Sequence, residues 1–188
     1  MNGKKKLALT SIMLIAVLAV GFSIGYYQGQ LLAVQQDVKY PHIVNLVVRR
    51  DGAVIYNHTT HNIITTIGAK YVRNILGFNN ETSQEATKWI SLSDDTSPSA
   101  SWTKLPSEFT TGGLARASAT MTVINATAYQ AQASWTATAS FTIRCTGLHW
   151  SGTAGSDGNL FAVATVPDAN VISGDEVTIT WIVNIPAG

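Results

Sequence analysis

Strict alternation of apolar and polar residues runs through the second half of the chain and limits its fold more than any other feature. Residues 176–185 read EVTITWIVNI, and every second residue of this segment is apolar. Successive side chains of a strand point to opposite faces, so a period of two indicates a strand with one buried face. The same period runs through residues 117–124 and 134–144, and together these segments predict a mainly β fold. In residues 134–144 the side chains expected to face inward are Trp135, Ala137, Ala139, Phe141 and Ile143.

The first half of the same domain carries one hairpin pattern and one helix pattern. The Asp51-Gly52 pair lies between two β-rich runs and predicts a type I′ turn, since both residue types accept a positive φ. Residues 62–76 are expected to form the only helix of this domain, because apolar residues recur there at helical spacing, with Thr65 or Thr66 as the cap. The apolar stripe consists of Ile67, Tyr71 and Ile75.

Turn-rich stretches separate about seven or eight predicted strands in residues 42–188, which suits a sandwich. The longest stretches cover residues 94–109, 147–159 and 167–174. We therefore predict an N-terminal hydrophobic α-helix followed by an immunoglobulin-like or jelly-roll β-sandwich with one short helix. The outward-facing positions are rich in threonine and nearly free of charge, which protects poorly against pairing with another sheet edge.

Residues 7–27 form a long apolar run, LALTSIMLIAVLAVGFSIGYY, without a charged residue. As a helix rising 1.5 Å per residue, this run spans about 30 Å, the thickness of a bilayer's hydrocarbon core. Lysines at positions 4, 5 and 6 precede it and place the amino end in the cytoplasm. The side chains expected to pack in a membrane or in a filament core include Leu7, Ile12, Leu14, Ile15, Val17, Leu18, Phe22 and Tyr26.

The fate of this segment has two interpretations. A retained helix is favoured because the run is longer than that of a signal peptide, and residues 30–33 make a poor cleavage site. A removed signal peptide is the alternative, and a pilin-type leader, cut just before the apolar run, would also leave the helix in place. The predicted organisation is a hydrophobic helix in residues 1–30, a connector in residues 31–41 and an extracellular domain in residues 42–188.

The low charge argues against nucleic-acid binding, and the cysteine content excludes a disulfide within the chain. The formal net charge is +1 and only 12% of residues are charged, so the chain has no basic field for nucleic acid. Cys145 is the single cysteine, which rules out an intrachain disulfide and favours a buried structural thiol over a reactive one or an intermolecular bridge.

No motif for catalysis stands out, and we expect no enzyme and no small-molecule substrate. Its one G-x-S-x-G pattern, at residues 21–25, lies within the apolar run 7–27, and the sequence has no glycine-rich phosphate loop. His58 and His61 lack further ligands at metal-binding spacing, so no metal site is predicted there. Structural calcium at the loop carboxylates is the one cofactor left open, against ordinary solvated turns. Those carboxylates are Asp94, Asp95, Asp157, Asp175 and Glu176.

Candidate surface sites are three glycosylation sequons and two loop tryptophans. The sequons begin at Asn57, Asn80 and Asn125, and an N-glycosylating cell that exports the chain would offer them to its transferase. Trp102 and Trp150 fall in predicted loops and are candidate contact residues.

A series of short motifs carries a resemblance to known proteins. The motifs are Asn62-Ile-Ile-Thr-Thr-x-Gly68, Ile90-Ser-Leu-Ser-Asp-Asp-Thr96, Leu105-Pro-x-Glu108, Gly113-Leu-Ala-Arg-Ala117, Asn159-Leu-Phe-Ala162 and Ser173-Gly-Asp-x-x-Thr-x-Thr-Trp181. Across residues 42–185 the series resembles small β-structural proteins of phage-like and archaeal contexts. Together with the apolar N-terminal segment, the chain is more similar to archaeal pilin-like or thread-like subunits.

This resemblance implies assembly rather than catalysis, and it carries over no functional residue. The predicted function is a structural subunit of an extracellular filament, joined through its N-terminal helix or by strand addition from residues 42–57 or 176–186. Its partners would be copies of itself, with the membrane as a partner before assembly. A membrane-anchored adhesin that uses loops 94–109 and 147–159 is the alternative, and a virion structural protein is the second alternative.

Overall fold

The structure is a computed structural model that describes residues 42–77 and 86–185. In chain order its elements are β1 (Ile43–Arg50), β2 (Ala53–His61), β3 (Ile63–Ile64), α1 (Thr66–Gly77), β4 (Trp89–Ser93), β5 (Ala117–Ser118), β6 (Thr120–Asn125), β7 (Ala128–Thr136), β8 (Phe141–His149), β9 (Leu160–Val171) and β10 (Glu176–Asn184). The apolar run Leu7–Tyr27 lies outside the described residues.

Two antiparallel five-stranded sheets pack as a sandwich. Sheet A has the strand order β2-β1-β10-β7-β6, and sheet B has the order β3-β9-β8-β4-β5. The mainly β sandwich with one short helix is therefore confirmed, with ten strands in the described part instead of seven or eight.

The core lies between the two sheets and follows the alternation of the central strands. Val44, Leu46 and Val48 of β1 are fully buried, and so is Trp181 of β10. The predicted inward face of residues 176–185 is confirmed as far as Val183. Ile185 follows the last residue of β10 and is 58% exposed, so its prediction as an inward residue was wrong.

The β1–β2 connection is the predicted hairpin. Asp51 and Gly52 have φ values of 50° and 78°, and positive φ at both positions is what a type I′ turn requires. The turn sets the register in which Arg50 pairs with Ala53.

The predicted helix over residues 62–76 starts later than expected. Ile63 and Ile64 form β3 instead, because they pair with β9. Thr65 is the N-cap, since its Oγ1 accepts the amide proton of Gly68 at 2.9 Å, and α1 begins at Thr66. Of the predicted stripe Tyr71 is buried, whereas Ile75 is 44% exposed.

The strand predicted over residues 134–144 is in fact two strands in different sheets. β7 ends at Thr136 in sheet A, and β8 begins at Phe141 in sheet B. The crossing is held by two backbone hydrogen bonds of Ala137, to the carbonyl of Asp175 (2.9 Å) and from the amide of Gly174 (2.8 Å). Ala139, predicted to face inward, is exposed in this crossing.

Two further segments depart from the prediction for related reasons. Residues 117–124 are divided between the sheets, because β5 pairs with β4 and β6 pairs with β7. β9 continues through Pro167, where a turn was expected. The β8–β9 register shifts between Ile143 and Cys145, and proline, which lacks an amide proton, is tolerated at such a bulge.

Sheet B is covered on its outer side as well as on its core side. Leu105, from the predicted loop 94–109, packs against Cys145, Leu160 and Val163, and Ile67 of α1 joins this cluster. Burial raises the pKa of Cys145 to about 12, so this thiol stays protonated and unreactive, as a buried structural thiol should. Among the described residues, sheet A is the sheet whose outer face lies open.

Candidate assembly surface

The outer face of sheet A carries cross-strand rows of uncharged polar side chains. In one row Asn45, Thr180 and Gln132 are register partners on three adjacent strands. Asn45 Nδ2 donates to Thr59 Oγ1 at 3.0 Å, and Gln132 Nε2 donates to Thr180 Oγ1 at 2.9 Å. Ser134 and Thr178 hydroxyls bond at 2.9 Å in the next row. The side chains bond to one another, so the face is ordered without ion pairs.

Charge on this face is confined to one end. Arg49 and Glu176 are register partners there, and in the described strands the rows beyond them contain polar amides, hydroxyls, aliphatic residues and the imidazole of His61. A second copy of the same face would meet no like-charge repulsion across these rows.

The open edges of sheet A are β2 and β6. All six residues of β6 are exposed, and Val123 is the most exposed of its large apolar residues at 80%. On β2, Val54 and Ile55 are 49% and 46% exposed. β6 contains no charge and no proline, the two common devices that keep a sheet edge from pairing.

The segments predicted to pair with a neighbour, residues 42–57 and 176–186, include both interior and edge positions of sheet A. β1 is hydrogen-bonded to β2 and β10, and β10 is hydrogen-bonded to β1 and β7. Both are interior strands, whereas residues 53–57 of the predicted segment 42–57 lie in β2, which is an edge of sheet A. β6, which the sequence interpretation did not single out, is an edge.

The described sequons lie on sheet A. Asn57 is in β2, and its Oδ1 accepts a hydrogen bond from Asn45 at 2.8 Å. Asn125 ends β6, and its Oδ1 accepts from the amide and the hydroxyl of Thr127, at 2.8 and 3.1 Å. Both asparagines are exposed, and Asn80 lies outside the described residues.

The two candidate contact tryptophans are less accessible than expected. The Trp150 indole is only 7% exposed and stacks on Tyr71, with ring centroids 4.6 Å apart. Trp150 is therefore a core residue here and leaves little surface for a partner. Trp102 is half-buried against the cluster around Leu105.

Arg116 is the centre of a polar network that joins loops 94–109 and 147–159. Its guanidinium donates two hydrogen bonds of 2.7 Å to the Glu108 carboxylate, and both side chains are almost fully buried. The Nη1 atom donates to the carbonyls of Ser151 (2.8 Å) and Thr153 (3.0 Å) and to Asn159 Oδ1 (3.2 Å). The loops that the adhesin alternative needs are thus fastened to one another.

The network continues into an arrangement that has the connectivity of a Ser-His-Asn relay. Asn159 Oδ1 lies 2.8 Å from His149 Nδ1, and His149 Nε2 lies 2.7 Å from Ser91 Oγ. Burial, together with the positive charge of Arg116, lowers the pKa of His149 to about 3, so the imidazole is neutral at pH 7. The sequence could not reveal this, since no motif joins the three residues.

The relay is closed to a substrate in this structure. Ser91 and His149 have no exposed surface. A Cβ on Gly147 would lie 2.8 Å from His149 Nε2 and 3.0 Å from Ser91 Oγ, so the backbone of β8 covers both atoms. The arrangement cross-links β4 and β8 from inside.

An apolar groove of about 350 Å³ lies between α1, the start of β1 and the end of β10. Its walls include Tyr71, Val72, Ile75, Phe161 and Val183. Burial lowers the pKa of His42, which lines the groove, to about 4, and this histidine is therefore uncharged at neutral pH. The groove suits an apolar group rather than a charged one.

The predicted metal candidates do not converge. His58 pairs with Leu46 and His61 pairs with Ile43, so the two imidazoles leave β2 on opposite faces. Asp175 is engaged by Arg50, whose hydrogen bonds hold the pKa of this carboxyl below its usual range. Within residues 42–77 and 86–185, no three His, Cys, Asp or Glu residues are grouped as metal ligands would be.

In the part of the chain that the structure describes, no helix is long and apolar enough to cross a membrane. Comparison with protein-family models, curated proteins and solved structures finds no match for this chain.

Proposed function

We propose that the chain is a structural subunit of an extracellular filament, with copies of itself as partners. The observation that carries the proposal is the state of sheet A, whose outer face carries charge at one end only and whose edge strand β6 has neither charge nor proline. Sheet B is covered by α1 and a loop, so the sandwich offers sheet A to a neighbour. We also propose that the sandwich is of the immunoglobulin-like or jelly-roll type, which the resemblance to pilin-like and thread-like subunits implies.

The Leu7–Tyr27 segment supplies the second contact. An apolar helix of this length holds the subunit in the membrane, at the cell surface, and then packs against the same segment of neighbouring subunits in the filament core. A subunit with two separate contact sites forms open chains, because a copy bound at one site leaves the other site free for a further copy. Glycans at the exposed sequons would solubilise a surface that is poor in charge.

Sedimentation velocity of the purified chain tests this function. The intact chain should sediment as large polymers after detergent removal, and a variant lacking residues 7–27 should sediment as monomers or small oligomers. Filaments formed equally well by the deletion variant would overturn the helix-core contact.

A monomeric intact chain would instead favour the membrane-anchored adhesin. Substitutions in loops 94–109 and 147–159 would then test the adhesin. They should abolish binding to a surface and leave the oligomeric state unchanged. A virion structural protein predicts assembly only together with other virion components.

A further inference from the structure

β6 exposes the side chains that belong to the core side of sheet A. Met121 pairs with Ala131, which is fully buried, so Met121 and the alternate residue Val123 point to the core side. They are nevertheless 40% and 80% exposed. β5, the edge strand of sheet B that directly precedes β6 in the chain, has only two residues and leaves Met121 and Val123 uncovered.

The other side of β6 is polar and matches the rows of the outer face. Thr120 and Thr122 pair with Gln132 and Gln130 of β7. Alternate residues of an edge strand also turn their amide and carbonyl groups away from the sheet, where they are ready to bond another strand. β6 therefore offers backbone groups, aliphatic side chains on one face and hydroxyls on the other.

We propose that β6 pairs antiparallel with β6 of a second copy, about a two-fold axis at Thr122. In this register Met121 lies opposite Val123 of the partner subunit on the core side. Thr122 lies opposite Thr122 of the partner subunit on the outer side, and aliphatic and Thr–Thr pairs are both favourable across antiparallel strands. The five-stranded sheets of two copies then form one continuous sheet.

Neighbouring registers are poorer. An axis at Val123 places Met121 opposite Asn125 and involves the irregular pairing between Val123 and Asn125. An axis at Met121 places Val123 opposite Ala119, where the chain has left sheet A and bonds the Lys88 carbonyl. The axis at Thr122 keeps every pair within residues 120–124 and sets no charged groups opposite each other.

The role of the β6–β6 contact in a filament rests on the proposed function. A two-fold contact closes after two copies, so a polymer also needs a second contact, such as the Leu7–Tyr27 segment.

Cysteine cross-linking of the intact chain tests the register. In Thr122→Cys the two new thiols lie directly opposite each other, within disulfide reach, and mild oxidation should convert the protein to a covalent dimer on a non-reducing gel. Thr120→Cys is the matched control, because this position faces Ile124 of the partner subunit and its two copies are about 14 Å apart along the strands. The native Cys145 is fully buried in both variants.

Val123→Lys added to Thr122→Cys should abolish the dimer, since it replaces an aliphatic pair with a charge. Three results would each overturn the proposed register. Thr120→Cys could cross-link as fast as Thr122→Cys, or Thr122→Cys could give no more covalent dimer than the unsubstituted chain. The third is a Thr122→Cys dimer that forms equally well with Val123→Lys present. Filaments without the Thr122→Cys dimer would overturn this contact and leave the filament function standing. A dimer without filaments would support the contact and contradict the function.

Discussion

At the scale of single residues, Arg116 is the side chain on which the long loops depend. It joins Glu108, Asn159 and the carbonyls of Ser151 and Thr153, and its side chain is only 1% exposed. The pairing could not be predicted from the sequence, because arginine and glutamate eight positions apart in an irregular segment follow no periodic rule. Only the folded loop brings their charges together.

Removal of the guanidinium should therefore be costly. Arg116→Met leaves the Glu108 carboxylate buried without its partner and should lower the free energy of unfolding by about 3–5 kcal/mol, measured by urea denaturation. Arg144→Met is the matched control, since its pair with Asp168 is largely exposed and screened by solvent, so its loss should lower the free energy of unfolding far less. Equal losses in the two variants would show that the buried network does not hold the loops.

His149 gives the fold a defined pH dependence. Burial lowers its pKa from 6.5 to about 3, so the folded protein keeps it neutral while the unfolded chain binds a proton below pH 6.5. Its contribution to stability is complete above pH 6.5 and is lost as the pH falls towards 3. At pH 5 the loss should be about 2 kcal/mol, measured by urea denaturation at pH 7 and pH 5. In the His149→Gln variant the free energy of unfolding should fall by about 2 kcal/mol less between pH 7 and pH 5. A fall equal to that of the unsubstituted chain would refute the role of His149.

At the scale of elements, the alternation predicted strands well and their boundaries poorly. The buried faces of β1 and β10 follow from a period of two, because each is a central strand with one face in the core. The same period continues through Ala137, where the chain crosses between sheets, so the pattern could not mark the crossing. The edge position of β6 depends on which strands pair, and a single strand's pattern does not contain that information.

The contact of α1 with β9 is a second feature that the sequence did not show. Gly68 is buried in the first turns of α1, and a Cβ there would lie 2.1 Å from the Phe161 carbonyl oxygen. Glycine in a helix normally costs stability, so its presence here marks a close approach of the helix backbone to the sheet.

Gly68→Ala should force α1 away from β9. We expect the free energy of unfolding to fall by about 1–3 kcal/mol, with a lower melting temperature in a thermal scan. Gly77→Ala is the control in the same helix, because nothing lies within 4 Å of its added Cβ, and it should be neutral or stabilising by up to about 1 kcal/mol. A neutral Gly68→Ala would contradict the close packing.

At the scale of the whole molecule, the sandwich formed by residues 42–77 and 86–185 has one covered sheet and one open sheet. Sheet B is enclosed by α1 and the loop that carries Leu105, whereas sheet A presents uncharged rows and the bare edge β6. The Thr-rich, charge-poor outer face was visible in the sequence as a period of two with few charges. Which sheet stays open depends on where a helix and a loop fold back, and the sequence pattern left that open.

Electron microscopy of the intact chain after detergent removal shows whether the subunits polymerise. We expect filaments of uniform width, which disappear in Val123→Lys and in the variant that lacks residues 7–27, and persist in the control Ile172→Lys, where an exposed aliphatic residue outside the sheet A edges is replaced. Dispersed single particles of the intact chain, at concentrations where the protein remains folded, would contradict the proposed function.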